Sequence, residues 1–404
     1  MAEMKQRSLE EVKSLSSEEA VEIMRQAGIV GAGGGGFPTY FKYKNPLPRL
    51  IVNATESEPG YWGDKLLHRD NLEKFMELFE AMKAIFGFEQ IILGVHYHDE
   101  EWYSNYEEYS GNGLFDVRHV PDTYGLGEEK TLVKHSTETK VPLFKDNPDG
   151  SRRPGMPPDV GIVVNNTETL LNVYNALFLG KPTTTVIFSV YGLEEGIIDL
   201  KVYEAPIGAS VREILEIAGL DVERKIPGRL VQDPENADYL TVIDGGPYLH
   251  DVLDSKAIKT GAAYVRRMTN SLILLPEGRQ GKEYAPTIKT DPPEEGIVSL
   301  VGKVSGVQVP LGGGLLTPAT PLVSEGDEVE YEQKIGEPVD TGFSVGVWAS
   351  IGGTVSSVDN ALVAITGDEV PEEEAEVKAT TEGGSRLRGE AEPFQEAAES
   401  GTRR

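Results

Sequence analysis

Gly28-Ile29-Val30-Gly31-Ala32-Gly33-Gly34-Gly35-Gly36-Phe37-Pro38-Thr39-Tyr40-Phe41-Lys42 is the stretch on which the reading of the fold turns. Gly31, Gly33, Gly34, Gly35 and Gly36 fall within six residues. Glycine tolerates positive φ and lets backbone N–H groups approach a ligand with no Cβ in the way. Successive inward N–H groups form an anion nest, and Lys42 adds a positive charge suited to phosphate. A bare glycine run also reads as a flexible loop. Gly31 to Gly36 holds a GxGxxG spacing, yet a dinucleotide fingerprint should directly follow a strand, and here a helical segment precedes it. No GxxxxGK[ST] pattern occurs, which excludes a P-loop. The stiff Phe37-Pro38 step argues against a loop that needs only flexibility. Phe37 suits stacking on a planar ring or packing in a core.

Outward from this loop the chain alternates helix and strand. Residues 1–27 read as a charged amphipathic lead-in helix. After the loop, Leu50-Ile51-Val52 is a buried-strand signal running into Asn53-Ala54-Thr55-Glu56-Ser57-Glu58-Pro59-Gly60. Glu56 and Glu58 would then sit at a strand's C-terminal edge, where α/β sheets hold ligands; a solvated turn is the alternative. Residues 70–86 carry apolar side chains at i, i+3 and i+4, with Gly87 placed as a C-cap. Residues 90–95 are the next strand. Two further polar elements follow: Gly125-Leu126-Gly127-Glu128-Glu129-Lys130, and Asn165-Asn166-Thr167-Glu168-Thr169 at a helix start. The Asn and Thr residues suit helix capping or the polar edge of a ligand. Helix then strand, repeated, is the rhythm of an α/β layer.

Composition narrows the chemistry. The 404 residues suggest two to four domains. A net charge of -28 disfavours nucleic-acid binding. Cysteine is absent, which removes disulfides, thiolate catalysis and cysteine-ligated clusters. No run of about 18 apolar residues occurs, and the charged N-terminus has no apolar signal region, so a cytoplasmic location is expected. The six histidines show no HExxH spacing; His96 and His98 read as a strand end rather than a metal site, and no metal site is expected.

Four motifs in order resemble one superfamily: the NADH- and FMN-binding flavoprotein subunit of respiratory complex I, the C subunit of the Rnf complex, and the propanediol-utilisation cobalamin reductase. Residues 31–39 are similar to a GxGGAGFPT loop, residues 53–60 to NADExEPG, residues 124–129 to YxCGEE, and residues 164–173 to VNNVETLxNV. The resemblance implies an α/β fold: a Rossmann-like FMN-binding domain, then a soluble-ligand-binding β-grasp domain, then a β barrel-sandwich hybrid domain. Residues 1–195 would form the first, 196–275 the second, 276–296 a linker and 297–367 the third. The tail 368–404 has eleven acids and five bases and should be disordered. By the same resemblance, Gly31, Gly33, Gly34, Gly36 and Lys42 would cradle FMN. Asn53, Thr55, Glu56, Gly127, Glu128, Glu129, Asn165, Asn166 and Thr169 would contact it, while Phe37 and Glu58 would meet NADH.

Departures bear equally on function. Thr55 stands where the superfamily has Asp, Ser57 and Leu126 where it has Cys, and the iron–sulfur cysteines expected after the β-grasp module are missing. The expected function is an FMN-dependent NADH dehydrogenase subunit with no iron–sulfur cluster of its own and no catalytic side chain. It would pass electrons to a cluster- or haem-bearing subunit, and through that partner to a complex at the inner face of the membrane. The alternative is a non-catalytic module that binds a ligand such as cobalamin, or a scaffold, with a vestigial flavin site.

Overall fold

Two serines, each three residues ahead of a glutamate, shape the start of the chain. Ser8 caps α1 (Leu9–Lys13) and Ser16 caps α2 (Ser17–Gln26), while Glu11 and Glu19 reach back to the serine N–H groups at 2.7 and 2.9 Å. These reciprocal boxes satisfy donors that a helix start leaves bare, so the single lead-in helix expected from sequence is two helices. The structure, a computed structural model, describes residues 3–32, 34–56, 58–122, 128–227, 239–284 and 291–368.

The first module follows with α3 (Thr39–Lys42), β1 (Arg49–Asn53), α4 (Gly63–Asp70), α5 (Leu72–Phe86), β2 (Gln90–His96), α6 (Ser104–Glu107), β3 (Asp116–Val120) and α7 (Glu129–Thr137). A ribbon of β4 (Phe144–Asp146) and β5 (Arg152–Pro154) leads to β6 (Ile162–Asn166) and α8 (Thr167–Tyr174). The apolar stripe of α5 buries Phe75, Leu78, Phe79, Met82 and Phe86, and Gly87 ends the helix at φ 69°. The sheet is parallel with order β3-β2-β1-β6. The chain moves from β1 outward through β2 to β3, then crosses back to place β6 on the other side of β1. Such a reversal opens a crevice at the strands' C-terminal ends, where α/β sheets take ligands. There Asn53 pairs in register with Asn166.

The second sheet has order β10-β9-β11-β7-β8-β12. Its strands are β7 (Thr185–Gly192), β8 (Lys201–Pro206), β9 (Leu240–Gly245), β10 (His250–Val252), β11 (Ser271–Pro276) and β12 (Ile297–Ser299), with α9 (Val211–Ile217) packed into its core. It begins upstream of residue 196, because β7 pairs antiparallel with β8 and parallel with β11. Likewise β12, in residues read from sequence as the start of the barrel, joins β8. The barrel proper has two sheets: β13 (Gly306–Pro310), β19 (Leu362–Gly367), β18 (Gly353–Val358) and β15 (Glu328–Val329), then β14 (Thr320–Pro321), β16 (Lys334–Glu337) and β17 (Val347–Trp348).

One apolar core joins Val186, Phe188 and Leu272 of the second sheet to Val307, Ile335 and Ile365 of the barrel. The barrel also grips the first module. Trp348 Nε1 donates to the Gln26 carbonyl at 2.7 Å, and Leu316 and Val345 enter that module's core. Among the described residues no helix is long and apolar enough to cross a membrane. The acidic tail from Glu369, and residues 285–290 of the linker, lie outside the described residues.

Candidate functional site

The glycine loop sits over the switch point because its neighbours tie it there. The Ala32 N–H donates to Thr169 Oγ1 at 3.0 Å, which fixes the loop to the first turn of α8. Gly31 donates to the Phe37 carbonyl (2.8 Å), Gly34 to Ala32 (2.9 Å) and Gly36 to Gly31 (3.1 Å). These amides hold the loop's own shape, so the inward nest inferred from the sequence is not formed by them. What the glycines provide is room. A Cβ on Gly34 or Gly35 would meet no atom within 4 Å, and Gly34 has φ 92°. Gly36 is different: a Cβ there would collide with Met268 of the turn before β11. Gly33 lies outside the described residues.

Lys42, at the end of α3, bonds the Val164 carbonyl of β6 at 2.7 Å and Glu129 of α7 at 2.8 Å. It thus joins the glycine segment to two of the other three motifs. Glu128 caps α7 by accepting from the Thr131 N–H at 3.0 Å; Gly127 lies outside the described residues. Asn166 caps α8, accepting from the Glu168 and Thr169 N–H groups at 2.9 and 3.4 Å, and its amide donates to both oxygens of Asp64. Asn165 donates to the Tyr43 hydroxyl. Asn53 closes the end of β1 by accepting from the Thr55 N–H (3.2 Å) and hydroxyl (2.6 Å). Thr55 therefore turns inward, 3% exposed, against the asparagine that ends β1.

Glu56 is buried and paired inside the protein. Both oxygens face Lys65: one accepts the backbone N–H at 3.1 Å, the other meets Nζ at 3.3 Å. Lys65 Nζ also lies 3.3 Å from Asp99 and 4.9 Å from the centre of the Trp62 ring. Burial pushes Glu56 up to about 7 against the pull of Lys65. Burial opposes the Lys65 charge, but Glu56 and Asp99 outweigh it and hold the ammonium protonated. Glu58 lies instead against the second sheet, where a Cβ on Gly246 would overlap its carboxylate. Phe37 meets Phe41 and Phe343 edge-on, with centroids 5.9 and 5.3 Å away, so barrel and loop share one aromatic cluster.

Several buried groups here carry no sequence signal, because charged residues on a helix ordinarily read as surface. Asp64 is pushed well up by burial and then by Glu56. Glu168, pushed up to about 8 by burial, accepts the Ile187 N–H of β7 at 3.0 Å. His68, pushed down to about 3 by burial, stays neutral between Tyr106 (2.9 Å) and Thr167 (3.0 Å) while stacking on Phe75. It steadies the first residue of α8.

The four motifs therefore interlock at one edge of the parallel sheet. The arrangement is a space without Cβ atoms over Gly34 and Gly35, the start of α8, amide side chains at the strand ends, and a buried Thr39 hydroxyl with no hydrogen-bond partner among the described residues. A helix start of this kind, with Lys42 close by, fits a phosphate group.

Residues 24–175 match the family model described as the Nuo51 FMN-binding domain, and residues 288–372 match the RnfC barrel sandwich hybrid domain. These are the superfamily that the motifs resemble. The C subunit of the ion-translocating oxidoreductase complex of Vibrio cholerae serotype O1 is 28% identical over 225 residues, 55% of this chain and 28% of the relative. The cobalamin reductase PduS of Citrobacter freundii is 29% identical over 256 residues, 63% of this chain and 49% of the relative. The chain thus spans about a quarter to a half of the length of these curated relatives. A solved NAD+-reducing [NiFe]-hydrogenase in the air-oxidized state covers 68% of this chain and 52% of its own at 19% identity, with a TM-score of 0.47.

Proposed function

We propose that the chain binds FMN at the switch point and serves as the NADH-oxidising subunit of a larger electron-transfer assembly. The observation that carries this reading is the interlocking of four sequence-distant motifs at the C-terminal ends of β1 and β6. Lys42 and the start of α8 would balance a phosphate. Asn53, Asn165, Asn166 and Thr169 would orient the polar portions, from positions already fixed by strand ends and a helix cap. Thr55, Glu128 and Glu129 would contribute through the segments they anchor, Gly31, Gly33, Gly34, Gly36 and Gly127 through close backbone approach, and Phe37 and Glu58 on the side where NADH enters. When bound, the flavin would take two electrons from NADH as hydride and release them singly. The protein's own part is to position, to exclude water and to present a buried polar wall in Glu56, Asp64 and Glu168. With no cysteine in the chain, the electrons would leave to a cluster- or haem-bearing partner. That partner would tether the chain peripherally to a membrane complex on the cytoplasmic side.

The test is the visible spectrum of the purified protein with and without FMN, followed by anaerobic NADH. Flavin bands that appear on reconstitution and bleach with NADH are the expected result. A protein that stays colourless after reconstitution overturns the reading. A second reading, ligand binding by the β-grasp module, draws on a pocket of about 280 Å³ beside β9 and β10, lined by Ile243, Tyr248, His250, Leu275, Arg279 and Lys282 among others. Thermal stabilisation by cobalamin without any flavin binding would favour it.

A further inference from the structure

Parallel strands set side by side send their chains out of the sheet at neighbouring points. β2 ends at His96 and β3 at Val120, and these two residues are register partners. The chain beyond β2 therefore brings His98 next to the Pro121-Asp122 step beyond β3. His98 Nδ1 lies 2.6 Å from Asp122 Oδ1, and His96 Nδ1 lies 3.7 Å from the same oxygen. The two imidazoles stack with centroids 5.2 Å apart and planes 17° apart. One ligand atom from each of the three residues falls within 4.8 Å of the other two.

We propose that His96, His98 and Asp122 form a binding site for a divalent transition-metal ion of the zinc class. The donor chemistry is two imidazole nitrogens and a carboxylate oxygen, a set that zinc takes at about 2.0–2.2 Å. Two such atoms on one tetrahedral ion stand roughly 3.4 Å apart. The His96–Asp122 distance already meets that spacing, and the His98–Asp122 pair needs to open by less than an ångström. The ion takes the place of the proton those two share. The Pro121 carbonyl, 3.1 Å from His96 Nδ1, is within reach as a fourth donor.

Rigidity and access are both provided. His96 is 2% exposed and fixed at its strand end. The side chains of His98 and Asp122 are 56% and 41% exposed, so an ion enters from solvent and a coordination position stays open to water or to a partner's side chain. Asp99 Oδ1 lies 3.4 Å from His98 Nε2. A carboxylate on the far nitrogen of a ligating histidine orients the ring and raises its basicity. Asp99 also holds Lys65, and Lys65 holds Glu56, so the ion would sit at the outer end of an ionic chain that reaches the candidate cofactor edge. The sequence spacing concealed this site, because the third ligand comes 24 residues after His98 through strand pairing alone.

The test is calorimetric titration of the EDTA-treated full chain with Zn2+ in excess Mg2+, which masks diffuse binding to a chain of net charge -28. One equivalent bound, with a raised melting temperature, is the expected result. Affinity should fall more than about 100-fold in H98A and in D122A. Both residues are exposed, so these variants should melt as the parent does when metal-free, even if H96A folds poorly. Co2+ substitution should give the visible bands of a four- or five-coordinate ion. The proposal is overturned if no stoichiometric zinc binds in Mg2+, or if H98A and D122A keep the parent affinity. It stands or falls independently of flavin binding, which the absorption spectrum reports separately.

Discussion

Glu168→Gln is the substitution whose outcome follows most directly from the geometry. The Glu168 carboxyl is buried at the seam between α8 and β7, accepts the Ile187 N–H at 3.0 Å, and is pushed from an ordinary value of 4.5 up to about 8, first by burial and then by Asp64 and Glu204. Its folded value lies above its unfolded one, so folding takes up a proton. The stability this group contributes is complete below about pH 4.5 and is lost as pH rises through about 8. Each pH unit in that window costs about 1.4 kcal/mol. At pH 7, two and a half units above the unfolded value, the parent has lost about 3 kcal/mol that a glutamine does not lose. Glutamine keeps an acceptor for the Ile187 N–H and the volume of the side chain. The variant should therefore exceed the parent by about 3 kcal/mol at pH 7 and by less than about 1 kcal/mol at pH 5. Urea unfolding at half-unit pH steps, followed by the fluorescence of Trp62 and Trp102, measures both. A stability difference that is the same at pH 5 and pH 7 would refute the reasoning, because it would mean that the carboxyl is ionised in the fold.

Lys65→Met removes the ammonium shared by buried Glu56 and Asp99; it should cost about 3–5 kcal/mol in urea unfolding at pH 8, and less at pH 5, below the value of about 7 to which burial pushes Glu56. Gly36→Ala puts a Cβ into Met268 at φ 57° and should cost about 1–2 kcal/mol; adding Met268→Ala should return the steric part and leave the backbone part, as a double-mutant cycle would read. Gly246→Ala overlaps the Glu58 carboxylate; on the NADH-side role proposed for Glu58, the NADH KM should rise about tenfold with kcat retained, and Glu58→Ala in that background should add nothing.

What could be read from sequence was local, or was carried by motif order. The α5 stripe and its Gly87 cap depend on residues within a few positions of one another, and they appear where the spacing predicts. The order of the Gly-rich, Asn53, Glu128 and Asn165 segments identified the module that the family models match. The edge of the second sheet was not legible. Thr185–Gly192 is an apolar strand that either sheet could accept, and only its pairing with β8 and β11 assigns it. Buried charge was equally hidden. Lys65 and His68 lie on a helix with the composition of a solvated one, and nothing local says that Glu56, Asp99 or Thr167 waits across the fold.

The substitution of Thr for Asp at position 55 takes on a meaning in the fold that the motif comparison lacks. A carboxylate at this position would be buried, next in sequence to Glu56, an acid whose proton affinity burial already raises. Threonine supplies a hydroxyl that satisfies Asn53 at 2.6 Å without burying another ionisable acid. The turn after β1 can therefore keep its shape without the acid, and the change bears on the charge facing a ligand more than on the backbone that would cradle it. The absent cysteines bear on another part of the molecule: the glycine loop, Lys42 and the α8 cap are built without them. On the proposed function, a chain altered in this pattern would still hold the flavin and would pass its electrons to a partner.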